Sequence, residues 1–112
     1  MIRFTGLLAL AAVLTFSLAE GSKAGAPKAA DAAKGKETFE QCAVCHNVDT
    51  DEKKMGPSLK GLFKRKTLQS GKPVNDANVI AQINAGGNGM PGYADMLSAD
   101  EKANVLAYLH TL

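Results

Sequence analysis

The chain has no tryptophan, two tyrosines and four phenylalanines in 112 residues. So few aromatics give little with which to fill an interior, and a domain this small is already marginal in the apolar surface it buries. Cysteine is limited to Cys42 and Cys45, and histidine to His46 and His110. A zinc site needs four ligands in a tetrahedron, and adjacent Cys45 and His46 are poorly placed to share one. A disulfide between residues three apart closes a tiny loop and constrains little. No β-rich alternation surrounds the pair, as a thiol-redox module would require. A surplus of one charge is missing as well. From Asp31 onward ten Lys and Arg face ten Asp and Glu, which gives no reason to invoke nucleic acid.

Long apolar runs are confined to Phe4–Leu18, which is short for a membrane span. With Arg3 ahead of it and Ser17-Leu18-Ala19 behind, residues 1–19 are expected to be a secretory signal. No Cys follows the small residues, which argues against a lipoprotein. Cleavage after Ala19 leaves 93 residues; a retained anchor is the second reading. Residues 20–30 are rich in Gly, Ala, Ser and Lys and contain Pro27. They carry no apolar period and are expected to form a flexible linker ahead of a domain over residues 31–112.

What the chain does have is Cys42-Ala43-Val44-Cys45-His46. Two thiols three apart, with an imidazole directly after the second, read as a c-type haem attachment site. On one helical turn, positions i and i+3 face the same way. Both sulfurs then reach the two vinyl groups along one side of a porphyrin, and the His46 ring turns over the macrocycle to ligate iron. A large buried apolar cofactor would supply the interior that the composition lacks.

The spacing of Ala32, Gly35, Phe39 and Cys42 predicts a helix over Asp31–Val44 with Asp31 as N-cap. A Gly inside a helix costs about 1 kcal/mol against Ala, so Gly35 points to close approach of another helix. Residues 47–54 read as a loop, closed by the turn signal Gly56-Pro57. The Pro57 carbonyl is the expected acceptor for the second ring N–H of His46, since a ligating His usually donates to such a group. Ser58–Phe63 reads as a tight loop. Lys60, Lys64, Arg65, Lys66 and Lys72 form a basic cluster, either a solvated face or a docking patch for an acidic redox partner. Arg65 also suits a haem propionate, because a guanidinium pairs with a carboxylate through two parallel hydrogen bonds.

Asn75 or Asp76 is expected to cap a helix through Ala85, stopped by Gly86-Gly87. Residues 88–93 form a Gly- and Pro-rich loop around one soft sulfur. Pro91 stiffens the backbone after Met90, and a thioether suits the sixth position on haem iron. Met96, Met55 and His110 are the rivals, and Met90 as a core plug is the bland reading. Ser98 and Glu101 make a capping box for a last helix to about His110, whose Tyr108 is expected to cross the first helix near Gly35 and Phe39.

Taken together, residues 33–112 resemble a class I c-type cytochrome, of the small bacterial monohaem kind. The likeness rests on Gly35-Lys36 with Phe39 ahead of the Cys42–His46 motif, on Gly56-Pro57-Ser58-Leu59-Lys60-Gly61-Leu62-Phe63, on Gly89-Met90-Pro91-Gly92-Tyr93, and on the closing helix. The resemblance implies an all-α fold of three main helices around one covalent haem c. It implies thioethers from Cys42 and Cys45, axial His46 and Met90, and Pro57, Arg65 and Tyr93 among the cofactor-binding residues. Lys64 departs from the usual glycine, and the family's propionate-bonding tryptophan has no counterpart. The expected function is a periplasmic electron carrier that turns over no substrate, because both axial positions are filled. Export suits a haem attached in an oxidising compartment. The expected partners are redox proteins, with no nucleic acid and no stable membrane span. The alternative keeps the haem and opens the sixth position to a gas or peroxide. A thiol-redox or zinc module is the remaining one.

Overall fold

The structure is a computed structural model that describes residues 29–112. The expected signal and residues 20–28 of the expected linker lie outside the described residues. Among the described residues three α-helices carry the fold: α1 (Ala32–Phe39), α2 (Asp76–Ala85) and α3 (Ala99–Leu109), with a one-turn 3-10 helix at Leu62–Lys64. Among the described residues there is no β-strand, only two isolated bridges, Thr67 with Pro73 and Gly87 with Met90. The expected all-α class is the one found.

Each helix starts where a short polar side chain can take up the unpaired N–H groups of its first turn. The Asp31 carboxylate accepts from the N–H groups of Ala33 and Lys34, and Asn75 Oδ1 accepts from Asn78. Ser98 and Glu101 bond each other's main chain reciprocally at 3.1 and 3.2 Å. Helix α2 stops at Gly86, whose φ of 62° suits a residue without a Cβ.

Helix α1 packs across α3. A Cβ on Gly35 would run into the Asn104 carbonyl and sit 3.0 Å from the Tyr108 Cβ. The missing side chain is therefore what lets the two backbones touch. One turn on, the rings of Phe39 and Tyr108 meet at a centroid distance of 5.2 Å, tilted by 57°, a favourable edge-on geometry. Phe39, Val105, Leu109, Val79 and Leu62 form the small buried core.

The first helix is shorter than expected. It ends at Phe39, and residues 40–45 continue as turns. The N–H groups of Cys42 and Cys45 reach back only three residues, to the carbonyls of Phe39 and Cys42, at 2.7 and 3.0 Å. Those bonds tighten the coil past regular α geometry. Bonds of the i to i−4 kind persist at Ala43 and His46, so the helical spacing of side chains survives while the α-helix does not.

Candidate functional site

The tightened turns bring Cys42 and Cys45 to one wall of a cavity of about 560 Å³. That volume falls within the range of about 300–1,000 Å³ usual for ligand pockets. Cys42, Cys45, His46, Pro57, Arg65, Met90 and Tyr93 all line it, together with apolar side chains such as Leu59, Leu62, Val79 and Ile83. Residues expected at a site from four separate stretches of sequence thus gather on one space.

His46 is the most constrained of them. Its Nδ1 lies 2.7 Å from the Pro57 carbonyl oxygen. A carbonyl only accepts, so Nδ1–H donates and Nε2 keeps its lone pair. The loop that presents Pro57 is stitched to the motif. The Gly56 N–H donates to the Cys45 carbonyl at 2.8 Å, and the Leu59 N–H donates to Asn47 at 2.8 Å. Lys54 Nζ donates to the Ala43 carbonyl at 3.0 Å. Gly56 also clears space for the ring, since a Cβ there would lie 2.5 Å from His46 Cε1.

Burial, and then the neighbouring Cys45, push the Cys42 thiol up from its ordinary value. A redox dithiol needs the opposite, a lowered thiol exposed as thiolate. Tyr93 is buried, and burial and then the two cysteines likewise push its phenol up.

Met90 is half-buried at the cavity. Its backbone closes a two-residue hairpin with Gly87, through reciprocal hydrogen bonds of 2.9 and 3.0 Å. The tip residues Asn88 and Gly89 both have positive φ, 54° and 89°, the signature of the Asn-Gly hairpin turn. That hairpin was readable in the dipeptide and was not expected. Among the rivals, Met96 is 63% exposed and does not line the cavity, whereas Met55 is 80% exposed on its rim. His110 does not line the cavity either. It bonds Asp76 Oδ1 at 2.7 Å and stacks on Phe63 at 3.6 Å. Arg65 is tied down in a way the sequence does not announce, donating to the carbonyls of Ser58 and Lys60 at 3.0 and 2.6 Å. The basic residues Lys60, Lys64, Arg65, Lys66 and Lys72 are all exposed.

An all-helical shell around one large apolar space, with two thiols on one wall and an imidazole fixed by the main chain, defines a protein built to enclose a flat cofactor. Comparison with known proteins agrees. A family model described as cytochrome c matches residues 32–112. The chain is 32% identical over 80 residues to cytochrome c6 of Diacronema lutheri, covering 70% of this chain and 93% of that protein. It is 44% identical over 68 residues to cytochrome c2 of Blastochloris viridis, covering 58% and 54%. The solved structure of cytochrome c6 from the diatom Phaeodactylum tricornutum superposes with a TM-score of 0.56 at 29% identity, covering 72% of this chain and 92% of that one. The chain belongs to the cytochrome c family, among its small class I monohaem members. It is a small electron carrier whose cofactor is haem c.

The residues present fit that group. The cavity is apolar where a porphyrin needs it and has the two sulfurs on one wall. Gly56 leaves room for the imidazole. The charged side chains lining it, Lys53 and Arg65, are both cationic, and no Asp or Glu among the described residues lines it. The cofactor brings two carboxylates of its own.

Proposed function

We propose that this protein is a periplasmic electron carrier with a single haem c. In this reading Cys42 and Cys45 hold the haem through thioethers, while His46 Nε2 and Met90 Sδ ligate its iron. It turns over no substrate. The observation that carries the reading is the Nδ1–H to Pro57 hydrogen bond. It sets the tautomer, aims the ring, and makes Nε2 a stronger donor. When bound, haem supplies a one-electron Fe(III)/Fe(II) couple tuned by its axial ligands.

The chain's own work is to position and exclude. Leu59, Leu62, Val79 and Ile83 keep water off the porphyrin faces. The hairpin ending at Met90 presents a soft, neutral sulfur, which favours the reduced state over a second imidazole. With His46 and Met90 both holding the iron, no open position would remain for oxygen or peroxide, and the protein would act as a carrier. Lys60, Lys64, Lys66 and Lys72 form the docking face for an acidic redox partner, steering encounter by charge. The leader over residues 1–19 directs export and is removed. No helix among the described residues is long and apolar enough to cross a membrane.

The test is Met90→Ala. Its midpoint potential is expected to fall by about 0.1 V or more, well inside the 0.8 V that axial ligands span. The reduced variant is expected to bind carbon monoxide while the parent does not. A variant matching the parent in both respects removes Met90 from the iron. Prompt binding of carbon monoxide by the parent would instead favour an open sixth position.

A further inference from the structure

The motif edge, the imidazole side and the Met90 side leave one stretch of the cavity wall unassigned. That stretch is Arg65 to Ser70, in which Arg65, Thr67, Leu68, Gln69 and Ser70 line the space. It is held as a loop by the bridge between Thr67 and Pro73 and by the Leu68 N–H donating to the Lys72 carbonyl at 2.8 Å.

Several polar side chains around the cavity are already committed. Ser58 Oγ donates to the Thr50 carbonyl, Gln82 Nε2 to Gly86 and Gln41 Nε2 to Thr38. The Arg65 guanidinium is fixed by two neutral carbonyls and has no carboxylate partner among the described residues. Two of its five N–H donors are used that way, which leaves a preset cation with donors to spare. Beside it, the Thr67 hydroxyl and the Gln69 amide donate to nothing among the described residues. Both are exposed at the rim, where a carboxylate would be only partly removed from water and would lose less hydration.

We propose that Thr67 and Gln69, next to the preset Arg65, hydrogen-bond the haem propionates. The chemistry of the cofactor directs this. Its vinyl-derived carbons, bonded to Cys42 and Cys45, stand on one edge of the porphyrin, and its two carboxylates leave from the opposite edge. Thr67 and Gln69 follow Arg65 directly on a wall segment apart from the Cys42–His46 motif and the Met90 hairpin. The inference rests on the haem reading above.

The experiment is resonance Raman spectroscopy of the haem-loaded protein, read at the propionate-bending band, which follows the hydrogen bonding of those carboxylates. In Thr67→Val/Gln69→Leu the band is expected to move to lower wavenumber, while Thr67→Ser alone keeps the parent's position. Thr67→Val by itself should give a smaller shift in the same direction, so the result does not hang on the double variant folding. Gln82→Leu, whose amide is already engaged with Gly86, should leave the band in place. An unmoved band in both Thr67→Val and the double variant overturns the assignment, as does an equal shift in Gln82→Leu. Failure of the underlying haem reading looks different. There the parent itself gives no pyridine haemochrome and no haem-sized mass increase after denaturation.

Discussion

Gly56→Ala is the substitution that interrogates the imidazole most directly. Gly56 does not use left-handed backbone, and a residue before proline is already biased toward extended geometry that alanine accepts. The cost therefore comes from the added carbon alone. It would lie 2.5 Å from His46 Cε1, 2.8 Å from Nδ1 and 3.0 Å from the Cys45 oxygen. Carbon atoms rest at about 3.5–4.0 Å, so the ring must retreat by about 1 Å. A retreat of that size strains the 2.7 Å bond to Pro57, since hydrogen bonds of this kind weaken beyond about 3.2 Å. Losing that bond between half-buried groups costs up to about 1–3 kcal/mol. Crowding adds about 1–3 kcal/mol. At about 4–8 °C per kcal/mol for a domain of this length, the melting temperature should fall by at least about 10 °C. The midpoint potential should rise, because an imidazole that no longer donates at Nδ1 is a weaker ligand to the oxidised iron. Thermal melts followed in the haem absorbance, together with spectroelectrochemistry, measure both. A variant melting within about 2 °C of the parent at an unchanged potential would refute the account of how His46 is held.

Three further outcomes are expected. Gly35→Ala should destabilise the fold by about 1–3 kcal/mol or more in denaturant titrations, since its Cβ collides with the Asn104 carbonyl of α3; a loss under 0.5 kcal/mol would mean the helices can part freely. Gly89→Ala places a side chain at φ 89°, a strain of about 1–3 kcal/mol. It should loosen the hairpin at Met90 and raise the apparent affinity for added imidazole by about 5-fold or more, up to about 150-fold if the strain is fully relieved, read by optical titration. Reversing Lys64 and Lys66 to Glu should slow electron exchange with an anionic acceptor at low salt, with the difference vanishing near 1 M salt, where screening acts within about 3 Å. Stopped-flow rates equal to the parent's at low salt would make the cluster merely a solvated face.

The helix starts were legible because capping is local chemistry. Asp31, Asn75 and the Ser98–Glu101 pair each satisfy N–H groups two or three residues away. The end of the first helix was not. Ala32, Gly35, Phe39 and Cys42 keep helical spacing, but spacing does not distinguish a bond to i−4 from a bond to i−3, and the chain changes from one to the other after Phe39. Cys42, Cys45, His46, Pro57, Arg65, Met90 and Tyr93 were legible by chemical type, whereas Thr67, Gln69 and the cavity itself emerge only from the fold. Gly56 looked like part of a turn signal; that it also clears space for a ring ten residues earlier in the chain requires coordinates. Arg65 was legible as a cation, whereas its anchoring to Ser58 and Lys60 depends on how residues 58–65 coil. The Asn88-Gly89 hairpin is marked in the sequence by its dipeptide alone, because its flanks lack the apolar alternation that normally accompanies one.

The acceptor facing His46 belongs to the main chain, and this has a consequence for inheritance. Every amino acid a codon could place at position 57 brings a carbonyl oxygen, so no missense change there deletes the atom. Drift can alter only how the peptide is oriented. Vulnerability passes instead to the neighbouring codon, where glycine is one nucleotide from several bulkier residues.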